Sequence, residues 1–324
     1  MQTDEKVTKQ VGEARWEADS LFDKYSAYKE RFALCAKAED CSLWSRALHM
    51  LAARQVEHLD SISELTAIGR PSCAYALLRG MYETHLGLLL LGFHSGRRVQ
   101  MYKDSSGNLQ SFLVRNSSDK FSKKELSARF HAFSDFQAFQ ELHAMMHDQN
   151  SKTMLINHVG STKILSETYN KAKRQSDSAV ANFGFTSKSH AWHPFRSTWH
   201  LQHFLWPKGR APRFPRETFE MAKSFWRFWY AYLYRVPSHD VHASPFSMQQ
   251  QVNKGGSTAY ISDAVVFDPL PLSLANTLFE CSSIALALAF KTQKLHSAAF
   301  SLEVSPTRLS SSRLRVMPFP PKSS

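Results

Sequence analysis

The chain has 324 residues, enough to bury a sizeable core as one large helical domain or two smaller ones. Only 12 glycines and 13 prolines interrupt it, which argues against a β-sandwich, whose turn signals recur about every 8–12 residues. Forty Lys and Arg against 28 Asp and Glu leave a formal charge of +12, which suits a polyanionic partner such as RNA or, equally, a solvated basic surface.

In chain order, residues 5–38 place apolar positions at helical spacing among charges and predict a long amphipathic helix. "CSLWSRALHMLAARQVEHLDSISELTAIG" repeats the pattern and stops at Gly69. "RPSCAYALLRGMYETHLGLLLLGF" opens with Pro71 near a first turn and is apolar nearly all round, which predicts the central helix. Residues 95–124 lose that period and read as an exposed polar insertion. Helical pattern returns in "KELSARFHAFSDFQAFQELHAMMHDQ" and around 161–182, before an irregular aromatic and histidine-rich connector at 183–214. A strong helix is expected at about 216–235. Residues 247–266 carry Gly255–Gly256 between short polar and β-branched runs and fit a small β-hairpin or a loop. "LPLSLANTLFECSSIALALAFKTQKL" is the last helix, closing a single helical domain over 1–303, and residues 304–324 read as a disordered basic tail.

The four cysteines, Cys35, Cys41, Cys73 and Cys281, show no metal-ligand spacing and read as reduced thiols of a cytoplasmic protein. "MQTDEKVTKQ" is polar and opens no signal peptide. The most apolar windows, "HLGLLLLGF" and "SIALALAF", fall short of the ~20 residues that span a bilayer.

Arg79 and Glu83 stand four residues apart on the apolar central helix, so both charges are expected to be buried against partners. They fit a structural ion pair, or a pair that orients a residue elsewhere. The stretch "RETFEMAKSFWRFWYAYLYR" crowds aromatic rings onto every face of its helix. Arg227 and Tyr234 there suit stacked bases, and the rings equally suit an aromatic core. His190, His193, His200 and His203 repeat an H-x2-H spacing that could hold a metal, although no Cys, Asp or Glu stands among them to complete a common catalytic set.

In "YRVPSHDVHASP", Pro237 cannot continue the helix, Ser238 and Asp240 are local cappers, and Pro245 stops any short helix beyond them. The turn thus gathers Arg235, His239 and His242. Such a turn fits backbone capping, or the two requirements of metal-free RNA cleavage. A histidine takes the 2′-OH proton, and an arginine stabilises charge on the phosphate.

Three stretches, "LLRGMYETHLGLLLL", "YLYRVPSHDVHASP" and "LANTLFECSSIALALAF", occur in that order, and in this the chain resembles a family of uncharacterised, mainly bacterial helical proteins. Across about residues 45–295 the resemblance implies an all-α domain that brings Arg79, Glu83 and His242 together. More distantly, Arg235 and His242 are similar to the Arg-x4–6-His motif of the HEPN superfamily, helical proteins of toxin–antitoxin and antiviral systems, many of them metal-independent ribonucleases. Val236 and Pro237 depart from that motif, which usually has a polar residue after the Arg.

These readings converge on an all-α, HEPN-like multi-helix bundle acting as a metal-independent endoribonuclease in bacterial antiviral defence or a toxin–antitoxin pair. His242 would move the proton, Arg235 would hold phosphate and His239 would assist. Arg79, Glu83, Ser238 and Asp240 would orient them, and Arg227 and Tyr234 would hold RNA. No cofactor and no metal are invoked, and the partners open to the chain are RNA, a partner protein or antitoxin, and a second copy. The rival readings are a non-catalytic module binding RNA or protein, and a metal-dependent hydrolase built on the His190–His203 cluster.

Overall fold

A computed structural model describes residues 5–21, 42–93, 97–115, 121–189, 191–205, 216–235 and 268–292. These residues are mostly helical: α1 (5–21), α2 (Leu43–Ala67), α3 (Pro71–Gly92), α4 (Lys123–His147), α5 (Gln149–Val159), α6 (Thr162–Phe183), α7 (Thr198–Leu205), α8 (Arg216–Trp229) and α9 (Leu270–Thr292). A two-stranded antiparallel sheet, β1 (Arg97–Lys103) and β2 (Leu109–Arg115), comes after α3, and a π-helical turn at Tyr230–Arg235 prolongs α8.

Helix α3 is central, as its composition predicts. From His85 to Gly92 every residue is buried, whereas its first half keeps a partly exposed stripe. Around it stand α2, α8, α9 and β1, which supply most of one large apolar cluster. The close fit is visible at Gly92, where an added Cβ would lie 2.9 Å from the Ala289 Cβ of α9. Polar side chains on α2 fasten onto α3's backbone: Trp44 Nε1 donates to Leu91 O at 2.8 Å, and Gln55 Nε2 donates to Met81 O at 2.8 Å. The first of these meets a carbonyl in the last helical turn, where no intrahelical donor remains. Helix α9 reaches α1 through Asn276 Nδ2, which donates to Ala14 O at 2.9 Å.

The polar insertion expected at 95–124 forms a hairpin that is exposed at its tip and along part of β2 but buried along part of β1. Val99 and Met101, alternating along β1, are buried in the main cluster, and Gln100 between them is buried on the opposite face. There Gln100 Oε1 accepts from Trp226 Nε1 at 2.8 Å, and Gln100 Nε2 donates to Leu205 O at 3.3 Å. Both faces of β1 are therefore covered at Val99–Met101, while Ser105–Asn108 at the tip and Gln110–Ser111 of β2 are exposed. The hairpin or loop expected at 247–266 and the tail at 304–324 lie outside the described residues, as do residues 22–38 of the first predicted helix.

Helices α4 and α6 pack side by side and, with α5, form a lateral arm that has its own small cluster of Phe133, Phe136, Ala179 and Phe185. Arg129 clamps the start of the 183–214 connector by donating to Phe183 O at 3.0 Å and to Trp192 O at 2.7 Å. Helix α5 was not expected from the sequence. It buries no residue and is held by its ends, with the Asp148 carboxylate accepting from Ser151 N and Gly160 closing it at φ +73°.

Two glycines test this packing. Gly92→Ala should destabilise the chain by about 1–3 kcal/mol in urea unfolding, because the Ala289 Cβ is fixed to its own backbone and cannot rotate away. Gly12→Ala on α1 meets nothing within 4 Å and should stabilise by about 0.5–1 kcal/mol.

Candidate functional site

The exposed stripe of α3 is where the sequence candidates meet. Tyr75, Arg79 and Glu83 recur at four-residue spacing, so they share one face of the helix. Arg79 Nε lies 3.4 Å from Glu83 Oε1, and the same carboxylate oxygen accepts from Thr198 Oγ1 of α7 at 3.3 Å. The Arg79 guanidinium lies 4.9 Å from the centroid of the Tyr234 ring, a cation–π contact. Tyr234 in turn stacks on Tyr230, their centroids 5.5 Å apart. The π turn is thereby docked on the stripe. Such turns interrupt helices mostly as short bulges and recur at functional sites.

One turn earlier on the same face, Tyr75 Oη donates to Asp268 Oδ2 at 3.1 Å, and Asp268 Oδ1 accepts from Leu270 N to cap α9. The chain therefore leaves the stripe at Arg235 and rejoins it at Asp268. Ser238, His239, Asp240 and His242 lie between these anchors, outside the described residues. Arg235 closes the π turn by its backbone, and its side chain also lies outside them. Arg227 is exposed on α8, next to the exposed Phe228 ring, which stacks on Tyr232 at 4.6 Å.

The expected burial of the Arg79–Glu83 pair is corrected. Their side chains are 21% and 42% exposed, because α3 becomes apolar all round only beyond Glu83. The stripe is a surface feature carrying one cation, one carboxylate and two tyrosines.

The histidines of the connector do not converge. His193 is buried between Trp192 and Phe195, and burial pushes its imidazole down to about 4. His200 and His203 are exposed on α7, with His200 Nδ1 2.8 Å from Ser197 Oγ and His203 against the Trp199 ring. His190 lies outside the described residues, and among those described no three His, Cys, Asp or Glu side chains come within reach of a common metal ion.

Sequence reasoning missed His85, two residues beyond Glu83 on the buried side of α3. Its Nδ1 lies 2.8 Å from Ser282 Oγ of α9, and burial pushes its imidazole down to about 3. Only its place in an apolar run signalled it, since the partner is remote in sequence.

The fold and the stripe define a mostly helical protein in which an aromatic helix ends in a π turn against an Arg-x3-Glu helix. The chain belongs to DUF5677, a family of unknown function whose model matches residues 45–258, in keeping with the resemblance to uncharacterised helical proteins. No curated protein and no solved structure matches it. Among the described residues, no helix is long and apolar enough to cross a membrane.

The burial pattern can be tested at Glu83 and at the buried histidines. Glu83→Ala should cost less than about 1 kcal/mol, since its carboxylate is well solvated; a larger loss in thermal unfolding would mean that the pair is buried. The buried histidines give a pH dependence of definite sign. His58, His85 and His193 stay neutral in the fold down to about pH 4, 3 and 4, while the unfolded chain protonates them below 6.5. Stability should thus be full above 6.5 and fall as pH drops toward 4. His85→Gln should remove up to one proton from that slope, about 1.4 kcal/mol per pH unit, as read from urea midpoints.

Proposed function

We propose that the protein is a HEPN-like, metal-independent endoribonuclease, working in bacterial antiviral defence or as the toxin of a toxin–antitoxin pair. The observation that carries the reading is the Arg79–Tyr234 contact. It docks the end of the aromatic helix, and with it the start of the Arg235–His242 stretch, on a stripe that already holds a cation and a carboxylate. In this reading His242 removes the 2′-OH proton and Arg235 stabilises the charge that gathers on the phosphate. His239 assists, while Arg79, Glu83, Ser238 and Asp240 orient these groups. Arg227 and Tyr234 hold the RNA, which the net charge of +12 attracts.

A second reading, a non-catalytic module that binds RNA or a partner protein, is favoured by a separate observation. Trp199 and Phe228 are 44% and 41% exposed, and flat exposed rings can stack on bases without any proton transfer.

His242→Ala and Arg235→Ala should each lower RNA cleavage by about 10²–10⁴-fold while leaving the helical circular dichroism unchanged. Cleavage should persist in EDTA and yield a 2′,3′-cyclic phosphate, and RNA carrying 2′-deoxy at the cut site should be inert. Arg235→Lys should rescue only in part, because an ammonium lacks the bidentate fork. RNA binding without cleavage would favour the second reading. Cleavage that survives His242→Ala but is lost to a chelator would shift the chemistry to the His190–His203 cluster.

A further inference from the structure

Beneath the last turn of α8 lies a cavity of about 20 Å³, lined among others by Tyr82 and His85 of α3, Met101 of β1, Trp229 of α8 and Cys281 of α9. This volume admits a water molecule and excludes a nucleotide or a metabolite. One of the lining side chains brings a buried hydrogen-bonding atom that no described residue meets. Trp229 is 4% exposed, and its Nε1–H has no acceptor among the described residues. An indole N–H taken out of water normally finds one.

The second partner is the His85 imidazole on the same wall. Ser282 Oγ lies 2.9 Å from Leu278 O and 2.8 Å from His85 Nδ1, and its one hydrogen can serve only one of the two. When that hydrogen goes to Leu278 O, the tautomer with the His85 proton on Nδ1 completes the pair and leaves Nε2 as an acceptor. The His85 and Trp229 rings lie nearly parallel, at an interplanar angle of 27° with centroids 6.3 Å apart. They make no direct hydrogen bond to one another. An indole donor and an imidazole thus line a space of about one molecule's size.

We propose that this cavity is a binding site for a single water molecule, which accepts from Trp229 Nε1–H and donates to His85 Nε2. The Cys281 thiol on the same wall offers the water a weak third partner. With the water in place, donors and acceptors run in one direction through the core. Trp229 donates to the water, the water to His85, His85 to Ser282 and Ser282 to the Leu278 carbonyl. The chain of bonds ties α8 to α3 and α3 to α9. Trp229 is the last α-helical residue before the π turn, so the bound water fixes the place from which that turn departs. The site stands whether or not the protein cleaves RNA.

The test uses the full-length chain with ¹⁵N-labelled tryptophan indoles. The Trp229 Nε1–H resonance, assigned by its loss in Trp229→Phe, should exchange slowly with solvent and show a cross-relaxation peak to a long-lived water. A slowly exchanging indole with no water contact would overturn the proposal, and so would one that exchanges as fast as an exposed indole. Should Trp229→Phe fail to fold, a crystal structure of the unchanged chain decides the same point. A density peak within hydrogen-bond reach of both nitrogens supports the site, and a dry cavity refutes it.

Discussion

The rest of the structure depends on the complete burial of α3 from His85 to Gly92. A helix sheathed on every side has no water to satisfy the polar groups it carries, so each needs a partner from a neighbouring element. Trp44 and Gln55 of α2 meet backbone carbonyls of α3. Ser282 of α9 meets His85, and Gln202 of α7 accepts from Tyr82 Oη at 2.9 Å. These directional bonds select one arrangement of α2, α7 and α9 around an apolar rod that would otherwise tolerate several.

The first half of α3 obeys the opposite rule, and there the candidate chemistry sits. Tyr75, Arg79 and Glu83 are half-solvated, so their contacts are easy to make and remake, while the backbone beneath them is held by the buried half. A reactive group delivered by the segment after Arg235 would meet charged side chains whose helix cannot shift.

Much of this was legible in the chain. Helices α2, α3, α4, α6, α8 and α9 are marked by apolar spacing and stop signals, and the central place of α3 is marked by its run of leucines. The hairpin was not, because β1 is short and polar Gln100 is buried within it beside Trp226, which makes the strand look like a loop. Helix α5 was missed because "QNSKTMLINHV" is short, buries no residue and draws its clearest signals from its two caps. Glu83 was misjudged because the helix as a whole was averaged, when its character changes at one residue. The His85–Ser282 bond joins residues 197 positions apart, and no local pattern announces such a pairing. Of the candidate site, Arg79 and Glu83 were foreseen as neighbours of each other and of His242, which lies outside the described residues; the Arg79–Tyr234 contact was not foreseen.

The contact between Gly92 and Ala289 also bears on what the evolutionary unit is. The family match ends at residue 258, whereas α9 begins at Leu270 and buries Leu272, Leu278, Phe279 and Leu286 in the main cluster. A fragment cut at the limits of the match would strip α3 of the wall against which Gly92 is fitted and leave a broad oily face open to self-association. The matched range thus leaves out a helix on which the core of this chain depends. Expression trimmed to that range would yield aggregates rather than a minimal domain.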